Sequence, residues 1–444
     1  MEKNNGEDLV KIKKHEKKEK PKKDVKIKSL FKKAGSKDKP KRLNSTPRAN
    51  GVKLDFTNEA PRVNRYYMAL SKKFSLAKVV SAFLLCVFLL FMLVFYRKSI
   101  TYDNLMYLVR DLDMDVAVSM GAYNDISYEQ SFNLDFSLFR QRIAVCSNTG
   151  FYLYSRAGSM DLRFDENLTD PRVESGDRYA LVYDAGGRSY SLYTSVTRVR
   201  HSESKFDIAL GAVSDSGAYA LLTKNDESRY LITVFDRDFV ERGRYYKDKL
   251  VMDMAIDKKG EYIAAVSADV GTSAVSMQVM LSRIGTEKST QLEYEGMMPL
   301  CVRYTESGKL FVLCDCALLV FEGEKEVARV DFGGMVPGYF ALNGDIAAVS
   351  FAENVTGTEN ILKVFDTEGS ELYNIKISGK IVGVETDGSD AVYCVCETRA
   401  VKLSLGDGET KSEKISVKPI DFVPVPGSLI LCSPTGTHSL FFKD

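Results

Sequence analysis

The residues with the greatest chemical reach are eight cysteines: Cys86 in an apolar run, and Cys146, Cys301, Cys314, Cys316, Cys394, Cys396 and Cys432 further on. Two C-x-C pairs, Cys314/Cys316 and Cys394/Cys396, have a spacing that thiolate ligation of a soft metal could use. No His-Cys or His-x-His spacing supports such a centre, because the only histidines are His15, His201 and His438. Seven cysteines beyond the apolar run is an odd number, which argues against a pure disulfide framework. Serine nucleophile chemistry lacks a G-x-S-x-G elbow, and GKIVG (379–383) lacks the G-K-[ST] ending of a phosphate loop. Acidic residues such as Asp236, Asp238 and Asp366 fall in turn-like segments, where turn formation accounts for them. A paired-carboxylate glycosidase site is the hydrolytic chemistry left open. No catalytic, metal or cofactor residue is assigned on this basis, and no cofactor is expected.

The element that must position everything else is the run Val79 to Tyr96, 18 residues with Ser81 as the one polar member. Extended back to Leu76 it reaches 21 residues, roughly 31 Å of helix and enough to cross a bilayer. Lys78 within that extension can snorkel to headgroups. Residues 1–78 carry a net charge of +15 and the remaining 366 a net of −14, a split hidden by the total of +1. Lys72, Lys73 and Lys78 precede the run, and Arg97 and Lys98 follow it. The positive-inside bias predicts a single-pass cell-membrane protein with its N-terminus in the cytoplasm and its C-terminal body outside. The 78 residues ahead of the run, and Arg97-Lys98 where small residues would be needed, argue against a cleavable signal peptide.

Residues 1–71 are too polar to bury a core and are expected to form a disordered basic cytoplasmic tail. The Lys11 to Lys33 cluster, with Leu30 and Phe31 interleaved, suits contact with anionic lipid headgroups; a solvated tail that only fixes topology is the plainer reading. Nucleic acid is not an expected partner. Residues 72–98 form the transmembrane helix with its basic flanks. A short juxtamembrane helix is predicted over 99–113, where Asp103 can cap a face of Leu105, Met106, Leu108, Val109 and Leu112.

From 114 to 444 the helical period gives way to a repeat. Each unit has a strand, a polar corner and a second, strongly apolar strand. The corners are FRQR (139–142) and segments around Gly176, Gly217, Gly260, Gly308, Gly344, Gly388 and Gly427. Gly176 to Gly427 is 251 residues in six steps, about 42 per step, the period of a β-propeller blade of four short strands. Second strands such as RIAVCS (142–147), YALLTK (219–224), IAAVSF (346–351) and AVYCVC (391–396) are apolar on both faces, as strands between blades must be. Aligned, they put Cys146, Cys314, Cys394 and Cys432 at one position that Thr223, Ser267 and Ser350 hold elsewhere, so the thiols read as small packing residues. Third strands lead into acidic, Gly-containing hairpins, as in ITVFDRDFV (232–240) and LKVFDTEGSEL (362–372). Eight units are countable, with seven blades as the alternative. The last has room for only three strands, so a segment within 115–129 is expected to supply the fourth and close the ring.

The hairpin pattern v-x-v-[FY]-[DES]-x-x-G resembles the WD40-like and quinoprotein-like propellers over roughly 112–444. A basic tail, one span and such an ectodomain together resemble an uncharacterised family of single-span proteins of Gram-positive anaerobes. With no Trp in the chain, neither the W-D dipeptide nor the Trp docking of those blades is present, and no site residue carries over. The resemblance implies a non-catalytic binding or scaffolding module for an extracytoplasmic protein, peptide or envelope polymer. The alternative is a surface carbohydrate-active enzyme or ligand sensor using the central channel, which converging channel carboxylates of raised pKa would favour.

Overall fold

The computed structural model describes residues 60–95 and 123–443, apart from 129, 132, 271–274 and 287. The first segment is one helix, α1 (Ala60–Phe95), whose side chains are described in part. Phe74, Leu76, Val79, Phe83, Leu84 and Phe88 are among its exposed apolar residues and fall on all sides of it, so α1 has no single apolar stripe of the kind that packs a surface helix on a core. Among the described residues no helix is long and apolar enough to cross a membrane. The side chains of Leu89 and 92–95, which belong to the apolar run, are outside that description. Lys73 and Lys78 are exposed on α1 and Lys72 lies within it; Arg97 and Lys98, the tail to residue 59 and the helix expected over 99–113 lie outside the described residues.

The body is all β. Its strands, β1–β31 in chain order, form eight antiparallel sheets. Blade 1 is β1–β4 (Leu134–Asp165), blade 2 is β5–β8 (Pro171–Glu203) and blade 3 is β9–β12 (Ile208–Lys247). Blade 4 is β13–β16 (Leu250–Glu295), blade 5 is β17–β20 (Pro299–Asp331) and blade 6 is β21–β24 (Pro337–Ser378). Blade 7 is β25–β28 (Ile381–Lys414) and blade 8 is β29–β31 (Asp421–Phe441). The first strand of each blade neighbours the first strand of the next, which closes an eight-bladed propeller around a central channel.

Burial follows the sequence pattern outward from the axis. Second strands such as Arg142–Ser147 and Ala391–Cys396 are buried at every residue. Outer strands such as Lys325–Asp331 alternate exposed and half-buried, because only one of their faces meets a neighbouring blade. The core is accordingly divided: eight apolar clusters each join two adjacent blades, as Val266 and Met277 of blade 4 meet Val312 and Phe321 of blade 5.

Blade 8 has three strands of its own, and the segment 123–128 completes it, as the sequence requires. Ser127 bridges Gly436 in antiparallel register. The Tyr128 N–H donates to the Thr435 carbonyl at 3.2 Å, and the Ser439 hydroxyl donates to the Tyr123 carbonyl at 2.6 Å. Tyr123 and Ile126 are buried among Val423, Ile430 and Cys432 of blade 8 and Phe136 and Val145 of blade 1.

All eight corners fall where the glycine pattern predicts. FRQR turns without glycine: Arg140 and Gln141 adopt φ of 48° and 59°, the two positive values of a tight hairpin turn. One correction concerns register. The residue four positions after the pair that closes each first hairpin is Cys146, Asp184, Thr223, Ser267, Cys314, Ser350, Cys396 and Cys432. Cys396, not Cys394, therefore holds the equivalent position. Both cysteines face the same interior, since side chains two apart share a strand face, and both are buried. All eight cysteines are free thiols.

Candidate functional site

The first hairpins gather on one end of the propeller and clasp each other. The Asp177 N–H donates to Asp215 Oδ1 at 3.2 Å, the Ser216 N–H to the Lys258 carbonyl at 3.0 Å, and the Glu306 N–H to the Gly344 carbonyl at 3.2 Å. The Ser307 N–H donates to Asp345 Oδ1 at 2.9 Å, and Asn343 Nδ2 to the Thr386 carbonyl at 3.1 Å. Lys258 pairs with Asp215 at 3.5 Å and with Glu306. A belt of polar contacts thus runs from corner to corner, using the backbone groups that tight turns leave without ladder partners. At its tightest point Gly344 and Gly388 touch: a Cβ on Gly344 would lie 2.1 Å from the Gly388 carbonyl oxygen.

Three cavities open along this hairpin end. One of about 580 Å³ lies between blades 4 and 5, one of about 470 Å³ spans blades 6, 7, 8, 1 and 2, and one of about 150 Å³ joins blades 2, 3, 4 and 5 beside the channel. First-hairpin residues line all three, from Lys258 and Glu306 to Asp387 and Pro426.

The channel wall carries the chemistry. Asp135, Glu174, Asp253, Arg303, Glu385 and Asp421 each stand on the first strand of a different blade. Arg303 Nη1 donates to Asp253 Oδ2 at 2.7 Å, and that oxygen also accepts the Val302 N–H at 2.9 Å. Asp135 Oδ2 likewise accepts the Val173 N–H of the next blade at 2.7 Å. The Arg303 side chain is 41% accessible.

Burial sets the ionisation there. It pushes Glu174 up to about 7, against the pull of Arg303 and reinforced by Asp135 and Asp253. It pushes Glu385 up to about 8, with Asp421 adding to the shift, and Asp421 up to about 6, helped by Asp135. Asp135 is also raised by burial, and the Cys301 thiol is pushed up to about 12. Cys301 and Asp253 hold the Arg303 guanidinium firmly charged. Interactions between groups on blades that do not adjoin, such as Glu174 of blade 2 and Arg303 of blade 5, mark convergence on the axis. Among the described residues no group of three or more His, Cys, Asp or Glu side chains is arranged to hold a metal.

Sequence reading named none of these channel residues, although it foresaw raised carboxylates as the mark of channel chemistry. The signal was a single acid in an otherwise apolar inner strand, as in LVMDMAI (250–256) and IVGVET (381–386). The acids that were singled out do form turns: Asp236 Oδ1 accepts the N–H groups of Asp238 and Val240, and Asp366 Oδ1 those of Glu368 and Ser370. His201 stands on the outer strand Arg198–Glu203. Its Nδ1 lies 3.0 Å from Ser191 Oγ and 3.7 Å from Glu166 Oε1. Ser191 is fully buried and donates to Glu166 at 2.7 Å, so its oxygen is closed to a substrate; Tyr193 and Arg198 complete the same cluster around Glu166. His438 lies on β31 (Gly436–Phe441) and pairs with Asp125 at 3.3 Å, within the ring seam.

Among solved structures the chain is similar to Saccharomyces cerevisiae Sqt1 (8% identity, TM-score 0.48, covering 72% of this chain and 98% of that one). It is also similar to BamB from Moraxella catarrhalis (10%, 0.45, 72% and 99%) and to apo AztD from Citrobacter koseri (7%, 0.46, 64% and 87%). No curated protein matches its sequence. A family model does match, over residues 119–439, which is the propeller with its closing strand, and the chain therefore belongs to DUF5711, a family of unknown function.

Proposed function

We propose that this protein is a non-catalytic binding or scaffolding module, anchored in the cell membrane by one helix and presenting its propeller outside the cell to a protein, peptide or envelope polymer. The observation that carries the binding role is the belt joining the first hairpins, with three cavities opening along it. A face held by its own hydrogen bonds loses little freedom when it takes up a ligand. The anchor reading is supported by the apolar residues exposed around α1, and its orientation, N-terminus in the cytoplasm, by the +15 and −14 charge split.

Site-specific photo-crosslinking in living cells tests the binding role. A photoreactive residue at Ser389 or Pro426 on the hairpin end should give discrete adducts, whereas one at Arg329 on an outer strand should not. Adducts from Arg329 alone would overturn it. Protease added to intact cells tests the anchor: the body should be digested while an N-terminal tag stays protected, and the reverse pattern would overturn the orientation.

A second reading, a carbohydrate-active enzyme or ligand sensor using the channel, is favoured by Glu385 and Asp421. Both line the cavity of about 470 Å³ and both have raised pKa values, the pattern expected of acid–base groups. Polysaccharide hydrolysis abolished by Glu385→Gln would establish that reading.

A further inference from the structure

We infer that Cys314, Cys316 and Met277, with Met297 beside them, form a binding site for a soft monovalent cation, copper(I) or silver(I), separate from the hairpin-end face and independent of the binding-module reading. The Cys314 thiol donates to the Met277 sulfur at 3.4 Å across the interface of blades 4 and 5, and both side chains are fully buried. Cys314 ends β18, and Cys316 stands in the two-residue turn before β19, half-buried and packed against the same apolar cluster. The link between the two blades is clasped to that turn. The Met298 N–H donates to Asp315 Oδ1 and the Asp315 N–H to the Met298 carbonyl, each at 2.9 Å, and the buried Met297 beside this clasp joins the cluster. With Met252, five sulfur side chains meet there. Among the described residues no other interblade cluster gathers more than two, so this one is set apart by its donors and not by packing alone.

Donor type decides the ion. Thiolate and thioether sulfur are soft ligands that suit copper(I). Zinc in a structural site takes four donors from Cys, His, Asp and Glu, and among the described residues no third such side chain completes the thiol pair. Calcium and magnesium need oxygen ligands, whereas the rest of the cluster, Val279, Val312 and Leu319 among it, is apolar. Burial raises both thiols, and the fixed charges that act on them are Asp315, Glu326 and Asp331 against Arg329. That balance is negative and favours taking up a cation. Binding exchanges the two S–H protons for one ion, with no change of oxidation state. Cys316 gives the ion its way in, because it is the partly accessible member of the set.

The test uses the full-length protein, reduced and in detergent micelles without oxygen, titrated with copper(I) in competition with the chelator bathocuproine disulfonate. Retention of copper(I) against the chelator, with thiolate-to-copper absorption in the ultraviolet, is expected. Cys314→Ser combined with Cys316→Ser should weaken binding by at least about hundredfold, since loss even of a group that only supports a ligand costs about 10–100-fold. Met277→Leu conserves volume and should weaken it by about tenfold, while the melting temperature of the copper-free protein stays unaltered. Cys394→Ser combined with Cys396→Ser, the other C-x-C pair, should leave the affinity unchanged. Retention of copper(I) by the Cys314/Cys316 variant, or an equal loss in the Cys394/Cys396 variant, would overturn the site. Wild-type affinity in Met277→Leu would show the sulfur contact to be packing alone, and that variant decides the matter if the double cysteine variant does not fold. Zinc(II) held as tightly as copper(I) would overturn the choice of ion.

Discussion

Ile126 and Thr437, 311 residues apart in sequence, are joined by two hydrogen bonds: the Ile126 N–H donates to Thr437 Oγ1 at 3.1 Å and the Thr437 N–H to the Ile126 carbonyl at 2.8 Å. This pair is the seam of the ring. All eight blades begin between these residues, so the seam bears on all of them at once.

Deleting residues 439–444 removes the Ser439 bonds to Asp125 and Tyr123 and the packing of Leu440 and Phe442 on blades 7 and 8. We expect a loss of several kcal/mol, since one such side chain contributes roughly 1.5–3 kcal/mol. That should lower the melting temperature of the whole propeller in a single transition. An unchanged melting temperature would mean that the seam does not hold the ring.

Gly344→Ala and Gly308→Ala form a matched pair. Both glycines have positive φ, 60° and 84°, so each alanine bears backbone strain of about 1 kcal/mol. At Gly344 the new Cβ also meets the Gly388 carbonyl, and at Gly308 it meets open space. Urea unfolding should therefore show Gly344→Ala to be the more destabilised by at least about 1 kcal/mol. Equal losses would show that the corner contact between blades 6 and 7 yields freely.

Stability should fall as pH rises from about 5 to about 8. Glu174, Glu385 and Asp421 have folded pKa values of about 7, 8 and 6, above the roughly 4 of an unfolded carboxyl. The folded state thus holds more protons than the unfolded chain across this window, which gives a negative slope of unfolding free energy with pH. Solvent screening at these partly accessible groups reduces the effect to roughly 1–3 kcal/mol in total. Glu385→Gln should flatten the curve above pH 6, as measured by thermal unfolding, and an unaltered slope would contradict the channel electrostatics.

Thiol accessibility should separate two classes. Cys86 is exposed and Cys301 and Cys316 are half-buried, whereas Cys146, Cys314, Cys394, Cys396 and Cys432 are buried. Burial also raises the Cys146, Cys314 and Cys432 thiols, which slows attack because the thiolate is the nucleophile. Alkylation of native protein followed by mass spectrometry should leave the buried five unmodified until denaturant is added. Early modification of Cys396 would place it outside the packed interior.

The blades could be read from sequence because their second strands are apolar on both faces and their corners recur at a nearly fixed interval. The closing strand could be inferred because Gly436–Phe441 would otherwise end on an open edge. What escaped was anything that depends on register or convergence. A strand apolar on both sides gives no alternation to fix its alignment, and the bulge between Ile381 and Gly383 hides the two-residue slip that exchanged Cys394 for Cys396. The channel acids lie up to 286 residues apart, from Asp135 to Asp421, and only closure of the ring brings them together.

The seam also imposes an order on biosynthesis. A chain emerging from the ribosome can pair blades 1 to 7 one after another, but residues 123–128 have no strand partner until β31 has been made. A nascent chain that ends after blade 7 carries apolar flanks at both ends of an open arc, Phe136 and Val145 on one side and Tyr393 on the other. Such a chain is a substrate for chaperones and proteases until its last strand arrives. Quality control could therefore inspect a single hairpin and learn whether all eight blades are present.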